Sequence, residues 1–119
     1  MFGLIAGIIT LIAAGIFIVK VIKMTMAWLK SKIDKAFTNK NVGKVLVADI
    51  SKIVNECKNK KSWDELNKMK NEGYTHVMAS VNDNNTDVID IELVKDTNTS
   101  IDKEVEQLLG REGMVVIER

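Results

Sequence analysis

Four acidic side chains, Asp83, Asp87, Asp90 and Glu92, fall within residues 83–92. Carboxylate oxygens are hard ligands, so such a group could hold a divalent cation or help activate water for hydrolysis. Asp90 and Glu92 are two apart and would project from one face of a strand, which makes them the weak metal candidates of this chain. A hydrolytic site of that kind also needs a cation on the same side, and Lys95, three positions after Glu92, has the wrong parity. Solvated turns and sheet edges are commonly acidic. The expectation is therefore no catalytic residue, no bound metal, no cofactor and no enzymatic activity.

The other reactive types are single. One cysteine, Cys57, allows neither an intrachain disulfide nor a cysteine metal site, and its place on an apolar helical face suits a small buried hydrophobe. The one histidine, His76, has no second histidine or cysteine near it in sequence, which argues against zinc, and alternation puts it on the outer face of a strand. Lys58, Lys60, Lys61 and Trp63 combine cations with an aromatic ring, as in a single-strand nucleic-acid patch. They sit in an acidic region, so nucleic acid is not expected as a partner. No Gly-rich phosphate loop, nucleophile elbow or HExxH is present.

The element that must place these groups begins with the longest apolar run. The first 19 residues carry no charge, and Phe2 to Val19 is continuous apolar sequence apart from Thr10. As one helix those residues would reach about 27 Å, near the ~30 Å hydrocarbon thickness of a bilayer. A signal peptide would need positive charge before the run, whereas here Lys20, Lys23, Lys30, Lys32 and Lys35 come after it. The reading is an uncleaved single transmembrane helix over 1–22, N-terminus out, with the rest of the chain on the cytoplasmic side of the cell membrane. Gly3, Gly7, Thr10 and Ala14 form a small-residue stripe suited to helix association, and Gly3 to Gly7 is a GxxxG.

From Lys20 to Lys44 seven lysines face one acid, Asp34, a net of +6; from Val45 to Arg119 ten bases face fifteen acids, a net of −5. The chain contains no proline, and no glycine lies between Gly15 and Gly43, so the helix is expected to continue into a basic neck over 23–41. Ile22, Met26, Leu29, Ile33 and Phe37 make a narrow apolar face on that neck. Lys20, Lys23, Trp28 and Lys30 are the residues expected at the membrane surface, against anionic headgroups.

Residues 42–119 read as a small α+β domain. Val45 to Ile50 suits a buried strand or a helical face continuing to Lys58, and the helical reading is preferred. Ser62 and Glu65 form a capping box for a second helix that buries Trp63, Leu66 and Met69 and stops at Gly73. Val77, Ala79 and Val81 alternate as one strand, and Ile89, Ile91 and Leu93 as its partner across an Asn-rich turn. For these to share a face, paired positions must sum to 170, which excludes a two-residue turn at Asn84-Asn85. Ile101, Val105, Leu108 and Leu109 mark a third helix ending at Gly110, and Met114 to Ile117 a final strand inside the sheet. The order is helix, helix, hairpin, helix, strand, with the ferredoxin-like βαββαβ as the alternative; both put helices on one side of the sheet.

Three functions compete on this reading. The first is a membrane-anchored interaction module, homo-oligomeric through the span and neck and open to a protein partner. The second is a pore-forming or membrane-perturbing effector with a ligand-sensing domain. The third is a tethered metal-dependent hydrolase using Asp90 and Glu92.

Overall fold

The computed structural model describes residues 2–84 and 86–119, Phe2 and Gly3 by backbone alone. The apolar run does not form one helix. Helix α1 (Phe2–Ala13) ends in backbone bonds from Ala14 to Thr10 and from Gly15 to Ile12, and the chain turns at Gly15, whose φ of +81° is left-handed and natural for glycine. Beyond the turn the chain extends into strand β1 (Ile18–Ile22), in a stretch rich in β-branched residues. A twelve-residue helix is only about 18 Å long. Among the described residues no helix is long and apolar enough to cross a membrane, which overturns the single-pass anchor over 1–22 and the N-out orientation and cytoplasmic placement inferred from it. The membrane-anchored module, the pore and the tethered hydrolase all needed that anchor, and these readings fall with it.

The neck is likewise no continuation of α1. Helix α2 (Met26–Phe37) starts afresh at Thr25, whose hydroxyl accepts from the Trp28 amide at 3.2 Å. Its narrow apolar face is a packing face. Leu29 is fully buried, and Met26, Ile33 and Phe37 lie half-buried beside it against the sheet.

Val45 to Ala48 are fully buried on both sides, in β2 (Lys44–Asp49), not in a helix. Their periodicity was ambiguous because a strand with both faces covered shows no alternation. The helix begins only after Asp49, which caps α3 (Ile50–Glu56) by accepting from the Lys52 amide. Helix α4 (Lys60–Asn71) is capped by Asn59, three residues before the expected Ser62, and Trp63 faces outward while Leu66 and Met69 are buried.

Strands β3 (His76–Val81) and β4 (Val88–Asp96) pair in the expected register: Val77 faces Leu93 and Ala79 faces Ile91, both sums 170. A bulge after Ser80 then pairs Val81 with Val88 and sends Val88 and Ile89 toward opposite cores. Asn85, in the turn between them, lies outside the described residues. Helix α5 (Lys103–Leu109) is capped by Asp102 and ends at Gly110, with Ile101 exposed. Strand β5 (Met114–Glu118) pairs only with β2 and is an edge, not an interior strand.

The sheet order is β1-β4-β3-β2-β5, antiparallel except for the parallel pair β1–β4. From β2 onward the element order is β-α-α-β-β-α-β, one helix more than the βαββαβ alternative; β2 lies antiparallel to both its neighbours, and the helices cover both faces of the sheet. Ile5, Ile8, Ile9 and Ile12 of α1 join α3, α4 and Leu46, Val77 and Leu93 in one core; α2 and α5 join Val45, Val47, Met78 and Val94 in the other. Residues 1–22 and 23–41 thus contribute α1, β1 and α2 to the same layered fold as residues 42–119.

Candidate functional site

The structure gathers Asp90 and Glu92 with cations that sequence spacing did not suggest. Both line a groove of about 330 Å³ beside α2, together with Lys20, Lys32 and Lys35. Glu92 is committed there: its Oε1 accepts from Lys32 Nζ at 2.8 Å. Lys95 points away, as its parity required, and stacks on Tyr74 at 4.8 Å. Among the described residues no trio of His, Cys, Asp or Glu is placed to hold a metal ion.

The four residues expected at a membrane surface are spread over β1, α2 and the chain between them. Trp28 packs half-buried against the α2 core with Lys32 at 6.0 Å from its ring, Lys20 lines the groove, and Lys23 and Lys30 are exposed. Lys60 pairs with Asp64 within α4. Cys57 lies half-buried against the α1 core as a free thiol.

His76 departs most from expectation. Because helices cover both faces, all six positions of β3 are buried, and His76 is 2% exposed instead of on an outer face. Burial pulls its pKa below the usual 6.5, against the opposing pull of Asp49 and Asp96. Between the lowered folded value and 6.5 the unfolded chain holds a proton that the folded chain lacks, so this group destabilises the fold as pH drops through and below 6.5. Urea midpoints should therefore rise as pH climbs toward and through 6.5 more steeply in the parent chain than in His76→Gln; parallel profiles would contradict the burial.

The surface with no structural explanation is the outer side of the uncharged segment. The branched isoleucines of α1 face inward, leaving Ala6, Gly7, Thr10, Ala13 and Ala14 exposed; the surroundings of Gly3 lie outside the described residues. The stripe Gly7, Thr10, Ala14 thus faces outward, with Thr10 Oγ1 donating to Ala6 O. The exposure continues into the next strand: Ile16, Ile18, Val19 and Val21 are 58%, 52%, 41% and 63% exposed. Elsewhere among the described residues only Trp63 and Ile101 are comparably large and exposed, so the apolar surface is concentrated at β1.

β1 is also an open edge. The Thr97 amide donates to Ile22 O, so in this parallel ladder Ile18, Lys20 and Ile22 aim their backbone groups at β4. Val19 and Val21 aim theirs outward. An apolar edge with free donors and acceptors is a template for another strand. Local sequence could have flagged the β-branched residues 16–22; that they form an edge depends on pairing with residues 92–96, which no local pattern reveals. A scan against family models, a search of curated proteins and a search of solved structures each return no match, so this edge and its chemistry carry the functional reading.

Proposed function

We propose that this chain is a non-catalytic association domain that pairs, through β1, with β1 of a second copy. The observation that supports it is the open edge at Val19 and Val21, flanked by exposed Ile16 and Ile18. Two antiparallel copies of β1 would join two five-stranded sheets into one.

Backbone direction and charge restrict how they meet. Only odd-numbered residues of β1 offer outward backbone groups, so hydrogen-bonded pairs must match odd with odd. Centring the two-fold axis on Lys20 would set the two Lys20 side chains directly opposite in a close non-hydrogen-bonded pair, which is repulsive. Centring it on Val19 pairs Val19 with its copy, Phe17 with Val21 and Ile18 with Lys20, and leaves Lys23 outside. That register moves the two Lys20 side chains from direct opposition to diagonal positions.

A short strand interface is at the small end of stable contacts, so the expected dissociation constant is roughly micromolar. Sedimentation equilibrium should show a monomer–dimer equilibrium, and Val19→Lys with Val21→Lys should weaken it at least about a hundredfold by placing like charges across the pair. A chain that stays monomeric at all concentrations, or a double variant that dimerises normally, would defeat the proposal. So would a chain that remains monomeric yet binds anionic vesicles through the same residues, which would make lipid the occupant.

A further inference from the structure

A second feature, remote from β1 pairing, is a cavity of about 160 Å³ where β2 ends, β3 begins and the chain leaves β4. It is lined by Asp49, His76 and Asp96 together with Ser51, Asn98 and Thr99. His76 Nε2 is buried and has no hydrogen-bond partner. A lone buried ring nitrogen of this kind costs free energy unless something fills the place beside it.

The hydrogen-bond network around the ring bears on which kind of group that is. Thr75 Oγ1 uses its single hydrogen toward Val94 O at 3.2 Å and accepts from the Asp96 amide at 3.2 Å. The same hydroxyl lies 2.8 Å from His76 Nδ1, which donates to it in the Nδ1–H tautomer of the ring. The neutral ring then presents a bare lone pair at Nε2. Burial keeps the ring in that neutral form despite both carboxylates.

Asp49 and Asp96 are anchored but not neutralised. Asp49 Oδ1 accepts from the Lys52 amide, and Asp96 Oδ1 from the Met24 and Asn98 amides at 3.1 and 2.9 Å. Among the described residues neither forms an ion pair. The Lys52 ammonium, the cation closest in sequence to this cap, reaches instead toward Glu106. The cavity thus carries two carboxylates without an ion-pair partner beside the hydroxyls of Ser51 and Thr99 and the Asn98 amide, and its charge disfavours anions. Its volume falls below the roughly 300–1,000 Å³ of pockets that enclose whole drug-sized ligands, so it suits an end group.

We infer that this cavity binds a primary ammonium group, of a small amine or of a lysine side chain. Such a group carries three N–H donors and one positive charge, matching one ring lone pair and two carboxylates.

His76 is the only histidine, so its ring nitrogens report on the site without ambiguity in an ¹⁵N NMR titration of the full chain. Methylammonium should shift the Nε2 signal saturably, whereas tetramethylammonium, with the same charge and no N–H, should not. Asp49→Asn and Asp96→Asn keep an oxygen for the backbone bonds and should each weaken binding at least about tenfold. In a second arm, propylammonium is compared with a short peptide carrying one lysine and with the same peptide acetylated on that lysine. Tighter binding of the unmodified peptide assigns the ammonium to a lysine side chain; tighter binding of propylammonium assigns it to a small amine. No response to methylammonium, or an equal response to tetramethylammonium, would overturn the inference using the parent chain alone.

Discussion

Replacing Ile8 with alanine is expected to lower stability by about 3 kcal/mol, out of the roughly 5–15 kcal/mol that holds a typical domain folded. Ile8 is completely buried in the core formed by α1, α3, α4 and the sheet. Truncation removes the transfer free energy of its side chain and leaves a cavity that close-packed neighbours only partly fill. Two positions on, Thr10 belongs to the same uncharged run but is exposed, and its hydroxyl only returns to the Ala6 carbonyl of its own helix. Thr10→Ala should change stability by less than about 0.5 kcal/mol. Urea denaturation of both variants separates a one-sided α1 from a segment outside the fold: in the latter case the two substitutions would have equally small effects.

The second large effect is expected at Gly43, just before β2. A Cβ there would collide with the Asp83 side chain and lie 2.7 Å from the Asp83 backbone nitrogen. The backbone cannot move aside cheaply, since the Gly43 amide donates to Val81 O and its carbonyl accepts from the Arg119 amide. Gly43→Ala should cost about 2–3 kcal/mol, a fall in Tm on the order of 10 °C. Gly7 makes the opposite case, because nothing lies within 4 Å of its added Cβ and it sits inside α1. Gly7→Ala should be stabilising by up to about 1 kcal/mol through helix propensity. Melting curves check both signs, and a destabilising Gly7→Ala would mean that the outer face of α1 is packed against something.

Local rules served where an element's limits lie in its own residues. Gly73 and Gly110 end helices as expected, and the parity of the two strands fixed the β3–β4 register through Ser80. The bulge at Val81 was not legible, because both Val88 and Ile89 are apolar and either could face a core. The helical reading fails for Val45 to Asp49 for a related reason: with helices on both faces, β2 shows no alternation to separate it from a helix. The same double cover explains His76, whose neighbours set the parity correctly but not the identity of what lies beyond it.

The apolar run is the largest reversal. Its hydropathy spoke for a span, while its division was set by distant partners: α3 and α4 for the isoleucine face, and β4 for the β-branched strand, as in Ile18 against Glu92 and Ile22 against Asp96. Of the candidate groups, Asp90 and Glu92 did come to share a groove, but the lysine that answers Glu92 is Lys32 from α2, which no spacing rule connects to it.

The central claim, pairing of β1 with its copy about Val19, is tested most directly by a cross-link. In a Cys57→Ser background, which removes the natural thiol, Val19→Cys would face its own copy in a hydrogen-bonded antiparallel pair, at a Cα separation of about 5.5 Å that a disulfide can span. Mild oxidation should convert this variant to a covalent dimer far faster than the exposed control Ala27→Cys, as read by non-reducing electrophoresis and intact mass. Equal rates for the two, or no dimer from Val19→Cys, would contradict the account.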